Sequence, residues 1–243
     1  MSVRAHGAAL RWGLAAAVLG AVAGGFPGDA RATITATRPP DTEPRFLIVR
    51  PSVSDAALAL YAHPEGPVLT TASPWTQFGG RLALSVVRVD GGWLAVTALE
   101  LANGEVGWVR REDVRIASTR VSLVADLSAR TLVVRVGERA IRRIRVSVGA
   151  PGTPTPVGRF AVIDKFPGTL YGPYLGCCVL VLSGRQPNLP AGWQGGDLLG
   201  IHGTNAPGTV GRASSAGCLR ASDRDMRFLM RRVAVGTPVF IRP

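Results

Sequence analysis

The chain is poor in the residues that most often carry binding and redox chemistry. It has three cysteines and three histidines in 243 residues, and Lys165 is its only lysine. Cys177 and Cys178 are adjacent. Disulfide geometry asks for Cα atoms further apart than one trans peptide sets them, so this pair is expected as two alternate-facing strand thiols. An even-numbered disulfide framework would then have to use Cys218. The three thiols and His202 have ligand chemistry suited to zinc, but an adjacent pair fits a tetrahedral site poorly. A thiol redox sensor built on the same cysteines is the other chemistry open to them. No zinc-finger spacing, basic helix or aromatic base-stacking motif is present, which argues against nucleic acid as a partner. Charged residues make up only 18% of the chain and hydrophobic ones 47%, the balance of a globular protein and not of a disordered one.

What is present divides the chain by composition. Residues 1–32 read as an export signal: Arg4 and Arg11 precede an apolar run, Leu14 to Val22, and Ala30-Arg31-Ala32 offers the small residues of a cleavage site. The run is short for a bilayer span, and no cysteine stands near the junction to take a lipid. A retained N-terminal anchor is the alternative, and either way the protein is expected to work outside the cytoplasmic membrane. Residues 33–44 are a Thr- and Pro-containing linker. The net charge of +12 becomes +10 when Arg4, Arg11, Arg31 and Asp29 are set aside, and it favours anionic surroundings such as an acidic cell-wall polymer.

Residues 45–118 carry strand candidates at Phe46–Val49, Leu82–Val87, Trp93–Val96 and Asp113–Ile116. Asn103-Gly104 reads as a hairpin turn leading into Val106–Val109. Ala56–Leu60 reads as a helical turn. The run Gly92-Trp93-Leu94, then Asn103-Gly104 and Gly107-Trp108-Val109, resembles bacterial SH3-like domains. That resemblance implies a small β-barrel that either binds wall polymer or packs against and positions a catalytic domain.

From 119 onward, Val121–Asp126, Thr131–Val136 and Ala140–Val148 predict an antiparallel three-stranded meander, with Arg135, Arg142, Arg143 and Arg145 on solvated faces. Phe160–Asp164 predicts a further strand, and Leu175–Leu182 a buried one. Gly184–Asp197 is a long Gly- and Pro-rich loop of the kind that walls a site. Leu198–Ile201 delivers His202 at a strand end. Ser222 with Asp225 predicts a helix N-cap, and Met226, Leu229, Met230 and Val233 share one face of that helix. Val239–Ile241 is a closing strand.

His202 is the one imidazole near a thiol in this part of the chain. A thiol becomes a nucleophile when a neighbouring imidazole takes its proton, and the start of the 222 helix would favour the thiolate. Gly203 and Gly217 flank the pair and allow close backbone approach. The turn Ser215-Ala216-Gly217-Cys218 can aim successive N–H groups at one oxyanion.

Ile201-His202-Gly203-Thr204-Asn205, then twelve residues between His202 and Ser215 before Gly217-Cys218-Leu219-Arg220, is similar to the active-site signature of the L,D-transpeptidases (YkuD-type domain). Thr153–Phe160 and Gly172-Pro173-Tyr174 resemble earlier landmarks of that family. The sequence departs from it at Ala216, where many members have histidine. The resemblance implies a mainly β, mixed-sheet sandwich with one principal helix over 119–243. It implies Cys218 as nucleophile and His202 as general base and acid. Gly203 would orient the imidazole, Gly217 and Ser215 would shape the oxyanion turn, and Arg220, Thr204 and Tyr174 would meet substrate. The implied substrates are peptidoglycan stem peptides, with carbapenem-type β-lactams as covalent inhibitors and no cofactor or metal. An L,D-carboxypeptidase using water as acceptor, and an inert wall-binding protein, remain as alternatives.

Overall fold

The computed structural model describes residues 45–243. The expected export signal and linker lie outside the described residues. Among the described residues no helix is long and apolar enough to cross a membrane.

The first seven strands are β1 (Phe46–Pro51), β2 (Leu58–Tyr61), β3 (Val68–Ala72), β4 (Leu84–Asp90), β5 (Trp93–Thr97), β6 (Gly107–Arg110) and β7 (Val114–Thr119). They form one antiparallel sheet in the order β3-β2-β6-β5-β4-β1-β7. Because successive strand residues point to opposite faces, this sheet has two apolar surfaces. Val49, Leu58, Leu60, Leu84, Leu94, Val96 and Val109 pack as one core. Tyr61, Trp93, Ala95 and Trp108 pack on the other face, where Arg88 lies over Trp108 and Arg110 over Tyr61 and Trp93.

One sequence expectation fails in this region. Ala56–Leu60 is not a helical turn; Leu58–Tyr61 pairs with β3 as a strand. A run this short fits either period, so its partner strand decides. Asn103-Gly104 does turn the chain between β5 and β6, which pair antiparallel: the Glu105 N–H donates to the Ala102 carbonyl at 3.0 Å within a connection over residues 98–106. The Asn103 side chain also pairs with the backbone of Arg185, giving and accepting one hydrogen bond at 2.6 and 2.9 Å.

The remaining chain contributes β8 (Val121–Asp126), β9 (Thr131–Val136), β10 (Arg139–Arg145), β11 (Val148–Gly149), β12 (Gly158–Pro167), β13 (Cys178–Arg185), β14 (Leu198–His202), β15 (Ala213–Ser215), β16 (Leu219–Arg220), α1 (Asp223–Arg232) and β17 (Pro238–Arg242). Eight of these strands form a mixed sheet, β10-β9-β8-β17-β12-β13-β14-β16, and β11 pairs with β15 beside it. The described chain is therefore mainly β, with one α-helix. The meander β8-β9-β10 forms as the alternation predicts. The closing strand forms as expected, and β17 lies mid-sheet, parallel to β8 and antiparallel to β12.

Helix α1 begins where Ser222 accepts the Asp225 N–H at 3.2 Å. Its Met226, Leu229 and the following Val233 enter a core with Leu123, Leu132, Phe160, Leu180, Ile201 and Leu219. Arg142 is not a solvated residue, because its guanidinium grips Asp225 of α1 at 2.6 and 3.0 Å. Burial of about 20 Å² of apolar surface is worth roughly 0.5 kcal/mol, so the many wholly buried aliphatic side chains outweigh any single ion pair here.

The buried strand expected from Leu175 starts later, at Cys178, after a 3₁₀ turn over Pro173–Leu175. Cys177 and Cys178, expected as separate thiols, are joined as a disulfide. The pair straddles the junction between turn and strand, so the two side chains need not alternate as they would inside a strand. Bridging also removes both thiols from the zinc chemistry weighed above.

Candidate active site

Strand pairing assembles the site. β14 runs antiparallel to β13, with Val179 opposite His202, Leu180 opposite Ile201 and Val181 opposite Gly200. β16 runs parallel to β14, with Leu219 opposite Ile201 and Arg220 opposite His202. Residues two apart on a strand share a face. Leu180, Ile201 and Leu219 therefore face the core with α1. Val179, Val181, Gly200, His202, Cys218 and Arg220 face the other way, into a cleft of about 1130 Å³. His202 and Cys218 thus line one cavity, brought there by neighbouring strands.

The imidazole of His202 is buried, and its Nδ1 donates to the Gly203 carbonyl at 2.6 Å. That bond leaves Nε2 as the free ring nitrogen. Gly203 has no room for a side chain, because a Cβ there would collide with the Asp223 carboxylate at the start of α1. Asp223 accepts the Cys177 N–H at 3.0 Å, and the Gly203 N–H donates to the Cys178 carbonyl at 3.0 Å. The start of α1 is therefore packed on the backbone that orients the imidazole.

Cys218 is a free, half-buried thiol. Its Sγ lies 3.7 Å from the Leu198 carbonyl, a weak S–H hydrogen bond. No hydrogen bond joins it to His202 among the described residues, so the thiol–imidazole contact is not made in this resting rotamer. Gly200 stands beside the sulfur, where a Cβ would come within 3.9 Å. Burial pushes the thiol above its ordinary range, while a backbone hydrogen bond from Gly200 and the charge of Arg220 pull it down. Burial lowers His202 to about 4; the Gly203 carbonyl opposes this and the Arg220 charge adds to it. The resting pair is thus neutral thiol and neutral imidazole, and the imidazole is free to accept a proton at pH 7.

The turn that carries the sulfur is braced on several sides. Ser215 Oγ donates to the Cys218 carbonyl at 2.6 Å and accepts the Gly217 N–H at 3.1 Å. The Gly217 N–H, expected as an oxyanion donor, is therefore committed, whereas the Ala216 and Cys218 N–H groups of the turn have no described partner. Gly217 has φ +119 and no space for a Cβ against Gln186, so only glycine fits. Thr155 donates to the Gly217 carbonyl at 2.8 Å and Thr153 to the Ser215 carbonyl at 3.0 Å. The buried Gln186 amide donates to the carbonyls of Pro154 and Ala216 at 2.9 and 3.2 Å. Gln186 was not singled out by sequence, and nothing local marks it.

The substrate-facing candidates divide. Tyr174 is exposed on the cleft wall. Arg220 lines the cleft and holds the Ser214 backbone and hydroxyl, with no carboxylate partner and with its Nε buried and unbonded. Thr204 does not reach the cleft: it is buried and its hydroxyl accepts the Ala206 N–H at 3.0 Å, while its neighbour Asn205 lines the cavity instead. The Gly184–Asp197 loop does wall the site, through Gln186, Leu189, Trp193 and Asp197. Ala216 lies on the same wall.

Comparison with known proteins identifies the domain that carries these residues. The model of the YkuD L,D-transpeptidase catalytic domain matches residues 120–241. YkuD of Bacillus licheniformis is 34% identical over 121 residues, covering 50% of this chain and 65% of that protein. YkuD of Bacillus subtilis is 32% identical over 121 residues, covering 49% and 64%. The chain thus spans slightly less than two thirds of either relative. Among solved structures, an L,D-transpeptidase from Mycobacterium smegmatis aligns at 21% identity over 82% of this chain and 99% of that one, with a TM-score of 0.44. By the family match over half its length, this chain belongs to the YkuD family of L,D-transpeptidase catalytic domains.

Proposed function

We propose that the protein is a peptidoglycan L,D-transpeptidase that forms 3→3 cross-links through a Cys218 thioester. The observation that carries this reading is the placement of one neutral imidazole and one free thiol on the same cleft face of adjacent strands, in a chain of this family. Rotation of the Cys218 side chain between staggered rotamers would turn its sulfur from the Leu198 carbonyl toward the imidazole. The thiol proton passes to His202 Nε2 as sulfur attacks the carbonyl between the third stem residue and a terminal D-Ala. A C–S bond forms, the C–N bond breaks, and the imidazolium returns the proton to the departing amine. The Cys218 N–H supports the developing oxyanion. A side-chain amine of a second stem peptide then attacks the thioester, and Cys218 leaves with its proton restored.

The neutral resting pair suits this order, because no buried ion pair has to persist without substrate. Arg220, which lines the cleft and has no carboxylate partner, is placed to meet a substrate carboxylate. The reading extends to residues 45–118 as an SH3-like module, to an extracytoplasmic location and to carbapenem-type β-lactams as acylating inhibitors. The test is intact mass after mixing with a carbapenem. The wild type should gain one adduct and Cys218→Ala none; an unmodified wild type that also releases no D-Ala from muropeptides would end the reading. Muropeptide products then separate two enzymes, since cross-linked dimers mark a transpeptidase and trimmed monomers a carboxypeptidase.

A further inference from the structure

Residues 74–80, between β3 and β4, form a finger closed by its own backbone. Thr76 N donates to Gly80 O at 2.8 Å, Gly79 N to Thr76 O at 3.0 Å, and Leu82 N to Pro74 O at 2.9 Å. The Thr76 hydroxyl accepts the N–H groups of Phe78 and Gly80 at 3.3 and 3.0 Å. It also donates to the buried carboxylate of Asp164, on β12. Gly80 sits so close to that carboxylate that a Cβ would come within 2.7–2.9 Å of it. The Phe78 ring packs 4.7 Å from Phe166 and 5.9 Å from Tyr171, centroid to centroid. Through these contacts Gln77 and Phe78 become part of the wall of the cleft that holds Cys218 and His202.

The finger lies outside the 120–241 family match, yet it is pinned to the catalytic sheet by a hydrogen bond, a ring cluster and a close backbone approach. A second clamp, Asn103 to the Arg185 backbone, holds the same N-terminal sheet to the first residues of the opposite, loop-built wall. We infer that Gln77 and Phe78 are specificity-determining residues, so that the N-terminal module supplies part of the binding site for the donor stem peptide. This rests on the transpeptidase reading. The chemistry of the wall fits a peptide: the Phe78, Phe166 and Tyr171 rings offer an apolar surface for small side chains, and the exposed Gln77 amide can both donate to and accept from a peptide backbone. The module then serves as a wall of the active site, whatever else it contacts.

The experiment compares Gln77→Ala, Phe78→Ala and Phe78→Tyr in the full-length protein. D-Ala release from a tetrapeptide stem gives KM and kcat, and intact mass gives the rate of Cys218 acylation by a carbapenem, a small reagent with little reach along the wall. Phe78→Ala should raise KM about tenfold, the scale of one lost aromatic contact. It should slow carbapenem acylation far less, and Phe78→Tyr should restore KM. Gln77→Ala, which changes an exposed side chain, should raise KM several-fold without loss of thermal stability. Unchanged KM in both alanine variants overturns the inference. So does a fall in both reactions by the same factor with a lowered Tm, which marks a purely structural finger. Failure of the transpeptidase reading is a different result, seen in wild type as no acylation and no D-Ala release.

Discussion

The two faces of the β13-β14-β16 segment differ by one residue step and by everything that matters chemically. Leu180, Ile201 and Leu219 point into a dry core against α1. Their strand neighbours Val179, His202, Cys218 and Arg220 point into the cleft. Both faces come from the same backbone hydrogen bonds, so the core face holds the register on which the cleft face depends. A slip of one residue would exchange the two sets. The site therefore inherits its precision from aliphatic packing behind it.

Four measurements break or sharpen this comparison. The largest effect belongs to the proposed nucleophile: Cys218→Ala should reduce D-Ala release by at least about 10³-fold with little change in folding, since a half-buried thiol packs as a small hydrophobe. On the other face, Ile201→Ala should cost roughly 2–5 kcal/mol in urea unfolding, as cavities at buried aliphatic positions do. Activity per folded molecule should survive better than stability does.

Acid comes third. Folding holds the His202 imidazole neutral and lowers it from 6.5 to about 4. The unfolded chain therefore takes up its proton first, and stability is kept above pH 6.5 and lost as pH falls toward 4. The loss from this group is about 3 kcal/mol, and His202→Gln should flatten that part of a stability–pH curve. The smallest change is Gly200→Ala. Its Cβ would make only ordinary contacts, 3.4 Å from the Leu180 carbonyl and 3.9 Å from the sulfur, so stability should move by less than about 1 kcal/mol while iodoacetamide reaches Cys218 more slowly. In wild type that alkylation should keep rising with pH beyond the ordinary thiol range, because burial holds the thiol protonated. A plateau from mild acid upward would instead reveal a preformed thiolate–imidazolium pair.

Features set by neighbours along the chain were legible before the fold was seen. The β8-β9-β10 meander follows from alternation, the start of α1 from Ser222 and Asp225, and the strand that ends at His202 from the apolar run before it. Where two local patterns competed, local reasoning failed, as at Ala56–Leu60. It also left free several groups that the fold engages. Thr204 is used in its own turn, the Gly217 N–H is held by Ser215, and Arg142 is drawn to a helix 83 positions away.

The sequence by itself marked the candidate pair and the family pattern around it, because His202, Ser215, Gly217 and Cys218 are read from type and spacing alone. Only the tertiary structure decided how the walls are fastened. Thr76 meets Asp164 across 88 positions, Asn103 meets Arg185 across 82, and Gln186 reaches the nucleophile turn across 30. Such contacts carry no local periodicity. They exist because segments that fold on their own alternation leave polar groups where they meet, and those groups must find one another.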